Sequence, residues 1–347
     1  MRLNDVNGGY FKPGKGLRQG DPLSPLLFNL VANVFTRMLM KAAGERLITG
    51  LLPEVRDGGI IILQYADDTL LFLDNNLDKA RALKWMLSCF EQLSGLKINY
   101  DKSDLVPIGM DHEETKNFAQ IFCCKIWSFP FKYLGVPLHH SKLGSEDLQP
   151  VVDKSLKRVA GWKGKLLSYG GRFVLLKSCL ASIPIYLLSI IKFPRWAMDL
   201  INTHMARFFW NNSDDKVRYH LANWQMIAQK KEFGGLGIPD LRTLNLSLLA
   251  AWIQRYHLNN NVLWKQIVEF KYKTEQPNLF CCPDLGASPF WKGVSLAANA
   301  ARFGFQWKVG NGRRIRFWED HWFGTSSLAI QFWHLYAIVN EKGATIS

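Results

Sequence analysis

The sequence predicts an α+β protein, a helix laid on a small antiparallel sheet followed by a basic part. Three observations predict this. Two short apolar runs flank an acidic pair at Asp67-Asp68, apolar residues recur at helical spacing after Ser24, and basic residues crowd into the middle of the chain. At 347 residues with 48% hydrophobic content, the chain is long enough for more than one core.

The helix comes first. In "GLRQGDPLSPLLFNLVANVFTRML" (Gly16–Leu39), Ser24 followed by Pro25 reads as an N-cap with proline at the first helical position. Leu27, Leu30, Val31, Val34, Phe35 and Met38 then define one apolar face. Ahead of the cap, Arg18, Gln19 and Gly20 form a polar loop. Arg and Gln offer donors to phosphate or base edges, and Gly admits a close approach to the backbone. An ordinary loop entering a helix reads the same way.

The sheet follows. "GGIIILQYA" (Gly58–Ala66) is an unbroken Ile-rich run, the pattern of a strand buried on both faces. "TLLFL" (Thr69–Leu73) is a second run, closed by "DNN". Two runs separated by two residues read as a β-hairpin with Asp67-Asp68 at its tip. A turn tolerates one Asp readily. Two neighbouring carboxylates repel each other, and a divalent cation would remove the repulsion. Oxygen donors on a stiff support are what Mg²⁺ takes when it also holds phosphates.

Charge marks the next part. Residues 151–231 hold 14 Lys/Arg against 4 Asp/Glu, whereas residues 1–110 hold 13 against 12, within a formal total of +14. A near-neutral part joined to a basic one suggests a polyanion held by one face. Through "DLQPVVDKSLKRVAGW" (Asp147–Trp162), Val152, Leu156 and Val159 fall on one helical face, with Lys154, Lys157 and Arg158 opposite. That basic face suits phosphate contacts, or is simply solvated. Lys163, Lys165, Arg172 and Lys177 continue the basic density. "QWKVGNGRRIRFWEDHW" (Gln306–Trp322) reads as a hairpin about Asn311-Gly312. Its interleaved Arg, Phe and Trp either stack on single strands or mark one buried face.

Other classes are excluded. The six cysteines include two adjacent pairs, Cys123-Cys124 and Cys281-Cys282, with no CxxC spacing for zinc, so reduced thiols of an intracellular protein are expected. The most membrane-like stretch, "SCLASIPIYLLSII" (Ser178–Ile191), has 14 residues with a proline inside. That is short of the roughly 20 a bilayer needs. It reads as buried helix, and no membrane partner is expected. No signal peptide precedes the first motif. "GGLGIPD" lacks the GxGxxG spacing of a dinucleotide-binding turn.

Together and in this order, these segments resemble a reverse transcriptase. "RQGDPLSP" and "YADD" resemble its motifs B and C, "LSGLKINYDKSDLVPIG" (Leu93–Gly109) its motif D, and "FKYLGVPL" (Phe131–Leu138) its primer-grip motif E. The similarity is to plant LINE-type, non-LTR retrotransposons. It continues through "GWKGKLLSYGGRFVLLKSCLASIPIY" (Gly161–Tyr186), "GGLGIPDLRTLNLSLLAAWIQRY" (Gly234–Tyr256) and "VGNGRRIRFWEDHWFG" (Val309–Gly324).

The resemblance implies a partial polymerase palm over 1–140, a thumb over 141–231 and a retroelement connection region over 232–347. It implies RNA-directed addition of nucleotides to a primer 3′-hydroxyl by two-metal catalysis. The cofactor would be Mg²⁺, or Mn²⁺, and the partners an RNA template, a DNA primer and deoxynucleoside triphosphates. Asp67 would be the principal metal ligand and Asp68 a less stringent one, with Tyr65 supporting the tip. Arg18, Gln19 and Gly20 would shape the templating base pair. Lys102 would sit near the departing pyrophosphate, or stand as a solvated surface lysine. Tyr133, Leu134 and Gly135 would form the turn that positions the primer end, and Lys154, Lys157 and Arg158 would hold the nucleic-acid backbone. The intact element's protein would work in the nucleus.

The same resemblance implies a third carboxylate, from a motif A well upstream of motif B, and fingers that bind the nucleotide. Asp5 is the sole acidic residue before Arg18, and its surroundings, "NDVNGGYF", resemble the strand leading into motif B. The expectation is a fragment, inactive by itself. The alternative is a non-catalytic nucleic-acid-binding remnant of a retroelement.

Overall fold

The computed structural model describes residues 2–3, 6–7, 20–139, 144–161, 167–210, 222–258, 262–272 and 288–347. The chain divides into two compact units, Met1–Ser128 and Phe129–Ser347. Helices with short, mostly antiparallel strands make the fold α+β, as expected.

The first unit opens with paired two-residue strands, β1 (Arg2–Leu3) and β2 (Val6–Asn7). Helix α1 (Ser24–Gly44) carries proline in its first turn, as expected. Ser24 is already helical, however: the cap position is Leu23, whose amide donates to the Asp21 carboxylate at 2.9 Å.

Strands β3 (Ile62–Tyr65) and β4 (Asp68–Leu71) pair antiparallel, and α2 (Leu77–Ser94) follows. Asn76 caps α2, accepting from the Asp78 and Lys79 amides at 2.9 and 3.1 Å, and left-handed Gly95 ends it. Phe35, Leu39, Ile48 and Ile61 pack with Leu83, Met86 and Leu87 of α2, and Ile62 and Leu71 lie against this core.

Two expectations change here. The buried face of α1 is Phe35, Leu39, Ala42 and Ala43, whereas Leu27, Leu30 and Val34 are exposed, Leu30 by 64%. The core formed with the hairpin base and α2 engages only the second half of the helix. By length and composition α1 could cross a bilayer, yet these four residues pack inside the unit as those of a core helix do. The Ile-rich run is also buried on both faces only at its start. Ile60 and Ile61 are buried, while Leu63, Gln64 and Tyr65 are exposed, because the ladder leaves the core towards its tip.

A short 3₁₀ turn (Tyr100–Lys102) leads into β5 (Asp104–Leu105), α3 (His112–Phe122) and β6 (Lys125–Ile126), which pairs parallel to β5. Asp111 and Glu114 form a reciprocal capping box on α3.

The second unit begins with the hairpin β7 (Phe131–Tyr133) and β8 (Val136–Leu138). Helices α4 (Ser145–Gly161), α5 (Tyr169–Leu175), α6 (Ile185–Leu188), α7 (Arg195–Trp210), α8 (Trp224–Ile227) and α9 (Leu241–Leu258) follow. They share a core that buries Val152, Leu176, Leu188, Phe193, Met205 and Leu241. A second core joins Ile253 of α9 to Val268 of α10 (Leu263–Tyr272) and to Trp291 and Val294 of α11 (Pro289–Ala301). Helices α12 (Leu328–Gln331) and α13 (Trp333–Ile338) complete the order.

The stretch Ser178–Ile191 is buried only in part, with Leu180, Ala181, Leu187, Leu188 and Ile191 inside and Ile185 and Tyr186 exposed, and it is not one helix. A π-helical turn (Leu176–Leu180) gives way to a turn before Pro184, and α6 resumes for four residues. Proline cannot donate to a helical ladder, and the interruption leaves carbonyls that need partners. Asn245 of α9 supplies them. Its buried amide donates to Leu188 O at 2.6 Å and Ile191 O at 2.9 Å, and its carbonyl accepts from Phe193 N at 3.1 Å. Trp252 Nε1 donates to Ser189 O at 2.7 Å.

Residues 306–322 do not form the expected hairpin. The segment after Gly312 pairs with the chain end instead: Phe317 N donates to Ala344 O at 2.8 Å and Ile346 N to Ile315 O at 3.1 Å. Gly312 is left-handed, and a Cβ there would stand 2.9 Å from the Ser347 amide, so this pairing requires glycine. The aromatics pack inward. Trp307 meets the His257 ring edge-on at 4.9 Å, and Trp322 Nε1 donates to Phe317 O at 2.8 Å. Burial, with Arg314 and Lys265 nearby, pulls His257 down to about 4, so the ring is neutral at pH 7.

Asn245→Leu strands three buried backbone groups at once. Unfolding in urea should show a loss of about 3 kcal/mol or more; a loss below about 1 kcal/mol would mean the broken segment is held by packing alone.

Candidate active-site hairpin and nucleic-acid face

Register decides what the hairpin presents. Tyr65 stands opposite Asp68 and Leu63 opposite Leu70, while Ile62 pairs with Leu71 and Gln64 with Thr69. Directly opposed residues share a face, and faces alternate along a strand. Ile62 and Leu71 pack on the core. Ile61, on the alternate face, is buried in the same core, so both faces are covered at the base, and Tyr65 and Asp68 are exposed because the tip stands clear of the core.

The two-residue tip is Ala66-Asp67, one position earlier than Asp67-Asp68, and Asp68 is the first residue of β4. The pair thus joins a loop carboxylate to a strand carboxylate. Among the described residues neither forms an ion pair or side-chain hydrogen bond, and no group of three metal-ligating side chains occurs. Two adjacent, unengaged carboxylates suit a hard divalent cation as part of a donor set, with further oxygens coming from elsewhere.

Gly20 is exposed and left-handed at φ +85°. No described atom lies within 4 Å of where a Cβ would stand, so its conformation rather than a close neighbour calls for glycine. Arg18 and Gln19 lie outside the described residues, as does Asp5.

Lys102 ends the 3₁₀ turn with its side chain exposed. Asn99 shapes that turn, its Oδ1 accepting from Lys102 N at 3.2 Å and its carbonyl from Ser103 Oγ at 2.9 Å. Two α2 side chains reach the same segment. Glu91 Oε1 accepts from Ile98 N at 2.7 Å, and Lys84 Nζ lies 3.6 Å from the Tyr100 ring centroid. These anchors were missed in the sequence. Their one signal is a seven-residue spacing, two helical turns, which puts both on one face of α2.

In the second unit, Leu134 and Gly135 form the two-residue loop between β7 and β8, at φ +47° and +85°. Positive φ at both positions is the turn type whose twist suits a hairpin. On α4, Val152 is buried and Lys154 and Lys157 are exposed, in line with the expected division of faces. The side chains of Leu156, Arg158 and Val159 lie outside the described set, as do residues 162–166 with Lys163 and Lys165. Arg172 is buried, its guanidinium donating to Phe209 O at 3.3 Å, and so does not extend the exposed basic face.

Both loops hold a residue with a Cβ in the left-handed region, Ala66 and Leu134. Ala66 is left-handed at φ +51°, which costs a residue with a Cβ about 1 kcal/mol. Ala66→Gly should therefore raise stability by roughly 0.5 kcal/mol once the extra freedom of glycine in the unfolded chain is offset. Gly135→Ala should lower it by about 1 kcal/mol. Equal effects of the two changes in denaturant titrations would contradict the loop geometries.

Residues 2–138 match the family model described as reverse transcriptase (RNA-dependent DNA polymerase). Among curated proteins, the chain is 26% identical to an Arabidopsis thaliana protein named for a ribonuclease H, over 54% of this chain and 31% of the relative. It is 27% identical to an uncharacterized protein of transposon TX1 from Xenopus laevis, over 70% of this chain and 18% of the relative. It is 26% identical to the retrovirus-related Pol polyprotein of the type-2 retrotransposable element R2DM of Drosophila melanogaster, over 75% of this chain and 23% of the relative. The chain thus spans less than a third of the length of these relatives. Residues 2–138, with the hairpin that carries Asp67 and Asp68, are thus a segment of the reverse transcriptase type, and the chain is similar to part of the proteins of retrotransposable elements.

Proposed function

We propose that this chain contributes the catalytic hairpin, the primer-positioning turn and the basic thumb of an RNA-directed DNA polymerase that extends a primer 3′-hydroxyl. One observation carries the reading: the hairpin is anchored on its core side by Ile62 and Leu71, while Asp67 and Asp68 stand exposed and unengaged at the other end. That is the support a metal-dependent phosphoryl-transfer site needs, stiff beneath and open above.

Asp67 is the principal ligand for a divalent cation and Asp68 the secondary one. Oxygen-only donors favour Mg²⁺, and Mn²⁺ is the alternative. Such a cation supplies charge neutralisation at the triphosphate and lowers the pKa of the attacking hydroxyl. Tyr65 buttresses Asp68 from the same face of the hairpin. Arg18, Gln19 and Gly20 border the templating base, Lys102 faces the departing pyrophosphate, and Tyr133, Leu134 and Gly135 seat the primer end. Lys154, Lys157 and Arg158 contact phosphates along an RNA template paired to a DNA primer. The parts follow the order palm (1–140), thumb (141–231) and connection region (232–347).

The 347 residues by themselves should not extend a primer, because the resemblance calls for a motif A aspartate beside Asp67 and Asp68, and the segments that carry the resemblance supply none. Joined to an upstream half that supplies a motif A aspartate, the chain should extend a DNA primer on RNA in Mg²⁺. In that joined protein Asp67→Asn should abolish extension while template affinity stays within about twofold. Full extension with Asn at position 67 would end the assignment.

Binding offers a separate check. Changing Lys154, Lys157 and Arg158 together to Ala should flatten the slope of log K against log salt for single strands by about 2, at roughly 0.7 per phosphate contact. An unchanged slope would return these residues to a solvated surface.

A further inference from the structure

The turn bearing Lys102 is strapped to one face of α2 at two points. Glu91 takes the Ile98 amide at 2.7 Å. Two helical turns away, the Lys84 ammonium lies 3.6 Å from the centre of the Tyr100 ring and 3.5 Å from the Phe122 carbonyl. Phe122 is the last residue of α3, so the ammonium also meets the negative end of a helix dipole. A half-buried lysine between three elements is unusual unless its charge is used, and here a ring face and a helix-end carbonyl both receive it. The Tyr100 hydroxyl is buried without a hydrogen-bond partner, so Tyr100 is held by its face and not by its oxygen. Two residues on, Lys102 leaves the same turn with its side chain exposed.

We propose that Lys84 and Glu91 are positioning residues for Lys102, holding the Tyr100–Lys102 turn against α2 so that the Lys102 ammonium starts from a fixed root. This rests on the polymerase reading. A long flexible side chain loses less freedom in meeting a developing charge when its backbone is already held. The benefit falls on the departure of pyrophosphate, where negative charge builds up, and not on binding of the nucleotide.

The test uses the joined polymerase under single-turnover conditions and, in parallel, the 347-residue chain. Lys84→Met should slow nucleotide addition about tenfold, leave the apparent nucleotide affinity within twofold, and be largely rescued by Lys84→Arg. Lys102→Met should cause a similar loss, and the double change should be no slower than the worse single one. Tyr100→Phe should be neutral and Tyr100→Leu should not. In the 347-residue chain, Lys84→Met and Glu91→Gln should speed amide exchange across residues 98–103 while the α2 amides stay protected. Unchanged exchange there, or additive losses in the double variant, would overturn the proposal. Full activity with Lys84→Met, where Asp67→Asn is inactive, would overturn this inference alone, whereas extension that survives Asp67→Asn would overturn the polymerase reading beneath it.

Discussion

The hairpin is held at its base and leaves the core towards its tip, and the candidate site depends on that division. Ile61, Ile62 and Leu71 secure the base, against a core built from Phe35, Leu39, Leu83 and Met86. Towards the tip Gln64, Tyr65, Asp67, Asp68 and Thr69 are all exposed. Exposing one buried aliphatic side chain costs about 1.5–3 kcal/mol, so the base resists withdrawal from the core. The apolar base therefore positions the charges at the tip, although it touches neither of them.

The second unit meets a different constraint. Its apolar segment around Pro184 cannot continue as a helix, and the carbonyls released would be stranded in a core. Asn245 and Trp252, two turns apart on α9, close those bonds. Further along, Arg302, Arg316 and Tyr336 gather on Glu319. Burial pushes the Glu319 carboxyl up, but the hydrogen bonds from Arg316, Tyr336 and Arg302 outweigh it and hold its pKa below the usual carboxylate value. Asn245, Trp252 and Glu319 thus finish backbone and ion-pair networks, as buried polar groups generally must.

Charge counted along a chain treats every basic residue alike, and the fold divides them. Lys154 and Lys157 stand on the exposed face of α4. Lys84 is engaged by Tyr100 and a helix end, Lys265 is buried with its ammonium 4.6 Å from the Tyr256 ring centre, and Arg172 is buried against the Phe209 carbonyl. The basic excess of the middle segment still points to a polyanion, but only its solvated members can release counterions.

Local pattern sufficed for the hairpin, the start of α1 within one residue and the outward Lys154 and Lys157 of α4, whereas the turn at Leu134-Gly135 came from the family resemblance. The first three are written in neighbouring residues: apolar runs, helical spacing and a proline in the first turn. Packing was needed to settle which half of α1 is buried, that Asp68 belongs to a strand and Asp67 to the loop, and that Ser178–Ile191 breaks. Packing also set the pairing of residues 315–317 with the chain end and the hold of Lys84 and Glu91 on the turn of Lys102. These depend on partners distant in sequence, such as Asn245 for Ile191 and Ala344 for Phe317. Periodicity within a segment states which residues can share a face, and only the packed chain determines what that face meets.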